Sequence, residues 1–138
     1  MSQRNAERRT ALALVVLVLV AALGVAGCSR EPLEVSQIQI GKSLNSDKSV
    51  SAHTTRFSPD DTIYASVITQ KSGSSVLGVR WLYAGKMISE MKREVSYKGQ
   101  AATEFHLQYA GKLPVGEYKV EILVDDKPAG ERDFRVEP

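Results

Sequence analysis

Residues 62–83 read TIYASVITQKSGSSVLGVRWLY, and this stretch decides the fold of the chain. In its first half, Ile63, Ala65 and Val67 alternate with side chains of the opposite face. A period of two is typical of a β-strand. The turn-forming sequence Ser-Gly-Ser at 72–74 follows, and then a second apolar segment of strand length. The stretch therefore predicts two consecutive strands joined by a hairpin loop.

The same signals recur on both sides of this hairpin. Turn sequences at 84–86, 97–100 and 125–127 separate further segments in which apolar and polar positions alternate. The positions expected to face the core in these segments are Val35, Ile38, Ile40, Phe57, Ile88, Thr103, Phe105, Leu107, Tyr109, Tyr118, Val120, Ile122, Val124, Phe134 and Val136. Seven or eight short strands with regular turns, and no helical periodicity after the first 28 residues, predict an all-β, single antiparallel β-sandwich.

Two features of these strands resemble the immunoglobulin-like family. Trp81 shares one strand face with Leu77 and Val79, like the core tryptophan of immunoglobulin-like sandwiches. The segment Pro114–Tyr118 resembles a tyrosine corner, in which a tyrosine hydroxyl bonds to upstream backbone. The resemblance implies an immunoglobulin-like domain over residues 33–138, without the disulfide of antibody domains, and it carries no function by itself.

The beginning of the chain is a different kind of sequence. Basic residues precede an uncharged apolar segment over residues 11–27, which is the order of an export signal. Val25-Ala26-Gly27-Cys28 closes the segment and resembles the lipobox of bacterial lipoproteins. The resemblance implies a signal peptide over residues 1–27, cleavage before Cys28, a diacylglycerol on its sulfur, and a short lipidated tether over residues 28–32.

The same segment predicts where the protein resides. Basic residues ahead of the apolar run stay in the cytoplasm, so the domain is expected outside it. Ser29, rather than Asp, follows the cysteine, which resembles the sorting signal of lipoproteins on the periplasmic face of the outer membrane. The alternative is an uncleaved membrane anchor, for which an apolar run of about seventeen residues is at the lower limit.

The charge balance argues against a nucleic-acid partner. The full chain carries 18 Lys and Arg against 16 Asp and Glu, a formal net charge of +2. Residues 1–27 hold three of the basic and one of the acidic side chains, so the rest carries fifteen of each sign. A nucleic-acid-binding domain needs a basic face that attracts phosphates, and the neutral balance does not predict one.

Residues that could support catalysis are few and isolated. His53 lies in a polar segment and His106 points to the polar side of its strand, so both are interpreted as surface residues. The pairs Asp60-Asp61 and Asp125-Asp126 fall in predicted turns, where Asp bonds nearby amides, and they lack the spacing of a calcium loop. We therefore expect no enzyme activity, no metal site and no cofactor.

Binding is the function class that the sequence leaves open. Tyr64, Tyr83 and Tyr97 are candidates for a binding surface, because flat aromatic rings suit both sugars and protein partners. The alternative is that these rings complete the core of a small sandwich. Gly78 is unusual in the middle of an apolar strand and indicates a bulge or the close approach of another chain.

Anchoring and binding together define the expected function. We expect a lipid-anchored lipoprotein of the cell envelope that acts as a non-catalytic protein-binding or assembly module. Its membrane contact is the lipid on Cys28, and its partner is another envelope protein. The alternative is a carbohydrate-binding module that contacts peptidoglycan or polysaccharide through exposed aromatic side chains.

Overall fold

The computed structural model describes residues 31–138, so the predicted signal peptide and Cys28 lie outside the described residues. This range contains eight strands and no helix. Their bounds are Val35–Gly41 (β1), Arg56–Phe57 (β2), Tyr64–Thr69 (β3), Gly73–Tyr83 (β4), Lys86–Tyr97 (β5), Ala101–His106 (β6), Gly116–Val124 (β7) and Lys127–Val136 (β8). Accordingly, nothing within residues 31–138 is a helix long and apolar enough to cross a membrane.

The strands form two sheets, as a sandwich requires. One has three strands in the order β1-β3-β6, and the other has five in the order β2-β8-β7-β4-β5. β3 and β4 lie in different sheets, so the predicted hairpin between them is wrong: the loop at 70–72 carries the chain from one sheet to the other. Every pair is antiparallel except β2–β8, which is parallel, so the prediction of a purely antiparallel sandwich is wrong at this edge. The reason is that the chain leaves the first sheet after β1 and joins the second sheet beside β8 for only two residues. A strand this short has no periodicity that could reveal its direction.

The core lies between the inner faces of the two sheets. Trp81 is 1% exposed, and Leu77 and Val79 on the same face of β4 are fully buried. Val120 and Ile122 of β7 are also fully buried, opposite the inner face of the three-stranded sheet. The predicted core position of Trp81 is therefore confirmed.

A chain of aromatic rings extends this core toward one end of the sandwich. The ring of Phe134 lies edge-on to Trp81, with 6.0 Å between centroids, and edge-on to Phe57 at 5.5 Å. Tyr118 stacks on Phe134 at 5.2 Å, and Tyr83 follows at 4.8 Å from Tyr118. Aromatic pairs at such separations are worth about 0.5–1.5 kcal/mol beyond the area they bury, so the stack gives this end a rigid interior.

The weakly patterned segment between β1 and β2 folds into a hairpin over residues 42–52. Backbone hydrogen bonds join its two arms, as in Lys42 N to Ala52 O at 3.0 Å. The hairpin folds over the outer face of β3, where the buried Ser66 hydroxyl donates to Lys48 O at 2.8 Å. Val50 of the hairpin is only 2% exposed. The hairpin therefore covers part of the outer face of the three-stranded sheet, which a simple two-layer sandwich does not require.

The two open sides of the sandwich are each bridged by an arginine of the five-stranded sheet. Arg93 of β5 donates to Glu104 O of β6 at 2.9 Å, with its guanidinium 4.8 Å from the centroid of the Phe105 ring. On the other side, Arg132 of β8 donates to Ile38 O of β1 at 3.0 Å. Both acceptors belong to edge strands, so each arginine ties an edge of the smaller sheet to the larger one.

Gly78 lies beside a large apolar side chain on the outer face of the five-stranded sheet. It pairs with Leu123 of β7, and a Cβ at Gly78 would lie 3.5 Å from the Leu123 Cβ. Leu123 is 5% exposed although it lies on the solvent side of the sheet. Since 3.5 Å is an ordinary van der Waals distance and the strand has no bulge at Gly78, neither explanation expected from the sequence applies to this glycine.

Candidate functional site

The N-terminal end of the sandwich is the end at which Glu31–Leu33 lie beside the start of β4. Glu31 O accepts a hydrogen bond from Ser74 N at 2.9 Å. Leu33 N donates to the buried Ser75 hydroxyl at 2.8 Å, and the Leu33 side chain is 4% exposed. A Cβ at Gly73 would lie only 2.8 Å from Glu31 O. The chain is thus held against the domain from Glu31 onward, slightly before the predicted boundary at residue 33.

The surface of the N-terminal end is polar. Its turns, at residues 70–72, 98–100 and 125–126, surround the docked segment. An open cavity of about 760 Å³ lies there. It is lined by Glu31, Pro32, Glu34, Gln70, Lys71, Ser72, Lys98 and Gly99. The Lys71 ammonium pairs with the Glu34 carboxylate at 3.0 Å, and both side chains are exposed.

The opposite end, which we call the distal end, consists of the β4–β5 turn at 84–85 and the β6–β7 connection at 107–115. Three large apolar side chains of the described range are exposed, namely Met87 at 52%, Val115 at 50% and Tyr109 at 46%. Met87 follows the turn, and the other two lie in the connection. All three therefore belong to the distal end, and none to the N-terminal end.

The backbone at Val115 and the residues before it is held by hydrogen bonds. The Tyr118 hydroxyl donates to Pro114 O at 2.6 Å, which is the predicted tyrosine corner. The Tyr83 hydroxyl donates to Val115 O at 2.9 Å, and Leu113 N donates to Pro59 O at 2.9 Å. Burial raises the pKa of the Tyr118 phenol to about 12, so the hydroxyl keeps its proton. Val115 consequently projects from a part of the connection whose backbone is fixed.

The three tyrosines predicted as a binding surface do not lie together. Tyr83 and Tyr97 lie at opposite ends of the β4–β5 hairpin. Because β4 is 11 residues long, about 30 Å separates them along the strands. Both are half-buried against the core, and the Tyr97 hydroxyl bonds to the Thr103 hydroxyl at 2.7 Å. Tyr64 lies on the other sheet, beside His106.

Tyr64 does have polar neighbours at the distal edge of the three-stranded sheet. Its ring centroid is 6.0 Å from that of His106. His106 Nε2 lies 3.3 Å from the Gln108 side-chain amide, and its Nδ1 lies 3.8 Å from a Glu104 carboxylate oxygen. An open cavity of about 540 Å³ next to them includes Tyr109 in its lining. This corner combines aromatic rings with hydrogen-bonding groups.

The other polar residues singled out in the sequence serve the backbone. Asp61 accepts from Ser58 N at 2.7 Å, and this hydrogen bond holds the pKa of its carboxyl below the usual value. Asp125 accepts from Val76 N at 2.9 Å and, like Asp126, has positive φ, as expected of a tight hairpin turn. His53 is exposed and bridges to Gly41. Residues 31–138 contain no group of three or more potential metal ligands.

The three exposed residues of the distal end were missed by the sequence analysis. Tyr109 was expected to face the core, but β6 ends at His106 and Tyr109 lies in the connection that follows. The sequence Ala-Gly-Lys at 110–112 is a turn signal that could have ended the strand earlier. Met87 and Val115 adjoin turn residues, which is a weak sign of exposure.

Comparison with known proteins identifies the fold of this chain. No protein-family model matches the chain, and no curated protein sequence matches it. An immunoglobulin-like protein from Pseudomonas aeruginosa superposes with a TM-score of 0.52 at 13% identity, covering 80% of this chain and 100% of that protein. The alkylpurine DNA glycosylase AlkC of Pseudomonas fluorescens, solved with DNA containing an abasic-site analog, gives a TM-score of 0.46 at 13% identity. That match covers 73% of this chain and 30% of the glycosylase. The Pseudomonas aeruginosa structure shows that this chain has an immunoglobulin-like β-sandwich fold.

Proposed function

We propose that the protein is a non-catalytic binding module of the bacterial cell envelope, anchored through lipid on Cys28, whose distal end contacts another envelope protein. The observation that carries this proposal is the position of Met87, Tyr109 and Val115. They are exposed by 46–52%, and they gather at one end of a domain whose other end is polar.

The chemistry of the distal end suits a protein partner. Tyrosine and methionine are enriched at protein–protein interfaces, and rigid anchors lose little conformational entropy on binding. The hydrogen bonds to Pro114 O and Val115 O hold the backbone of the connection before any partner arrives. A binding surface that is already ordered needs fewer contacts to reach a given affinity.

A membrane anchor would complement a small contact area. Two or more acyl chains give stable attachment, whereas one chain alone is marginal. The lipobox resemblance at Val25-Ala26-Gly27-Cys28 implies such an attachment. Confinement to one membrane raises the effective concentration of the two partners, so a modest interface suffices.

The proposal is tested by crosslinking in cells from a photoreactive amino acid at Val115. The matched control carries it at Lys98, which is exposed at the opposite end. We expect one dominant envelope protein to be captured from position 115 and not from 98. Capture of no specific protein from 115, or of the same protein from both positions, would contradict a distal binding surface.

A carbohydrate ligand is the second candidate, and the corner around Tyr64 favours it. Half-buried Tyr64, together with His106 and Gln108, offers an aromatic face beside hydrogen-bonding groups. Titration with soluble cell-wall fragments should then change tyrosine fluorescence. Tyr64→Ala should abolish the change without loss of stability, whereas Val115→Ser should leave it intact. An unchanged signal with every envelope glycan would exclude this candidate.

A further inference from the structure

We infer that the N-terminal end of the sandwich faces the phospholipid headgroups, so that the distal end points away from the membrane. The surface concerned is the docked segment Glu31–Leu33 with the turns at 70–72 and 98–100. Its occupant is the lipid surface in which the acyl chains are embedded. This inference rests on the proposed attachment through Cys28.

The first step is the short reach of the chain between the lipid and the domain. Cys28 precedes Glu31 by three residues, and three residues span at most about 10 Å even when fully extended. From Glu31 onward the chain is fixed by its hydrogen bond to Ser74 and by that of Leu33 to Ser75. The membrane surface must therefore lie within about 10 Å of this end.

The second step is the length of the domain along its strands. The docked segment lies beside the start of β4, and β4 continues for 11 residues, or about 33 Å, to Tyr83. A tether with a reach of about 10 Å cannot turn the far end of β4 toward the same membrane. An orientation with the distal end on the lipid is therefore excluded by length.

The third step compares the N-terminal end with the broad outer face of the five-stranded sheet. On that face Arg80 pairs with Glu90 at 3.2 Å and Lys119 pairs with Glu131 at 3.3 Å, while Glu121, which lies opposite Arg80 and Glu131, adds a negative charge that anionic headgroups would repel. At the N-terminal end, Lys71 pairs with Glu34 at 3.0 Å, Lys98 and Glu31 both line the cavity, and Asp126 of the adjoining turn pairs with Lys92 at 2.7 Å. An end-on orientation therefore meets no greater electrostatic repulsion than one in which the sheet lies on the membrane, and the short tether decides between the two.

This orientation has consequences for binding. The cavity of about 760 Å³ at the N-terminal end faces the headgroups, so it is not open to ligands from the periplasm. Met87, Tyr109 and Val115 are carried about one strand length away from the lipid, where a protein partner can reach them.

The test places a fluorophore at either end of the lipidated protein. Lys71→Cys and Lys112→Cys are matched positions, because the lysine side chains are 78% and 77% exposed. Each also forms one ion pair between exposed side chains, with Glu34 or with Asp60. The labelled proteins are reconstituted in phosphatidylethanolamine–phosphatidylglycerol vesicles that contain a quencher attached to the headgroups. We expect quenching at position 71 to exceed that at 112 several-fold, and equal or reversed quenching would overturn the orientation.

Two further measurements separate the orientation from the anchor. The mass of the N-terminal peptide reports whether Cys28 is acylated. An unacylated peptide would remove the proposed anchor and the orientation with it, whereas an acylated peptide with equal quenching would overturn the orientation alone. Insertion of twelve Gly and Ser residues before Glu31 extends the flexible tether by about 20 Å. This variant should lose most of the difference between positions 71 and 112, and an undiminished difference would mean that tether length does not set the orientation.

Discussion

At the N-terminal end of the sandwich, the chain itself closes the gap between the sheets. Glu31 and Leu33 bond to Ser74 and Ser75, and Leu33 covers the core. At the distal end, aromatic rings perform this role, because Phe134 and its neighbours continue the core to the surface. Hydrogen-bonded closure leaves only polar turns outside, whereas the distal end retains exposed apolar side chains.

The comparison shows how one fold can present two different surfaces. At the N-terminal end, the backbone of the docked segment lies so close to β4 that a glycine is needed. A Cβ at Gly73 would lie 2.8 Å from Glu31 O. A stack of rings fixes a loop without covering it, so side chains such as Val115 remain available for contact. The division fits a domain with one end toward a membrane and the other toward a partner.

The largest expected effect comes from breaking the aromatic closure with Phe134→Ala. Phe134 is 3% exposed and contacts the rings of Trp81 and Tyr118, and truncation of a buried Phe typically costs about 3–5 kcal/mol. Urea unfolding measures the loss of stability. Hydrogen exchange should show the greater loss of protection at the distal end, and an equal loss at both ends would mean that Phe134 supports only the common core.

A smaller effect is expected from Ser75→Ala, which breaks the hydrogen-bonded closure. The buried Leu33 N–H loses its acceptor at 2.8 Å, and an unsatisfied buried donor costs about 1–3 kcal/mol. Ser74→Ala is the matched control, because the Ser74 hydroxyl makes only an exposed bond to Ser96. It should change the free energy of unfolding by less than about 0.5 kcal/mol. Equal losses in the two variants would show that the hydrogen bond from Leu33 to Ser75 adds nothing to stability.

Tyr118→Phe has a smaller effect still at neutral pH and tests the hydrogen bond of the distal end. It removes the 2.6 Å hydrogen bond to Pro114 O and keeps the stacked ring, so we expect a loss of about 1 kcal/mol. Tyr83→Phe removes a more exposed bond to Val115 O and should cost less. An unchanged melting temperature for Tyr118→Phe would show that Tyr118 stabilises the fold only through the packing of its ring.

Alkaline pH tests the same residue without changing the ring. Its pKa rises from 10.0 to about 12 on folding, chiefly through burial, so the folded state holds the phenolic proton more tightly. Its contribution to stability is complete below pH 10 and is lost as the pH rises through about 12. The difference in unfolding free energy between wild type and Tyr118→Phe should therefore shrink over that interval. A constant difference would show that Tyr118 does not titrate with folding.

The sequence was informative where local chemistry decides the outcome. Alternation over residues 62–70 predicted β3, which spans Tyr64–Thr69, and the buried face of β4 around Trp81 was also predicted. The Pro-Val-Gly-Glu-Tyr segment predicted the tyrosine corner. It failed at Tyr109, where alternation continues although pairing stops. The last hydrogen bond between the two segments is from Leu107 N to Ile63 O. Because β3 begins only at Tyr64, residues after Leu107 have no strand to pair with.

The candidate site was less predictable for the same reason. Exposure of Met87, Tyr109 and Val115 depends on which segments meet at one end, and their separation in the sequence gives no sign of that meeting. The predicted tyrosines shared a residue type but not a location, because Tyr83 and Tyr97 lie at opposite ends of one hairpin. The lipobox prediction at Cys28 depends on a short local motif and stays a prediction.

Local patterns in this chain thus determined the all-β class, the turns, the buried tryptophan and the expected lipid anchor, because each depends on residues close in sequence. Tertiary structure decided the parallel pairing of β2 with β8, the hairpin that covers Ser66, and the contrast between the two ends. Those features arise from contacts between residues far apart in the chain. A side chain becomes buried or exposed only when the neighbouring strands have taken their places.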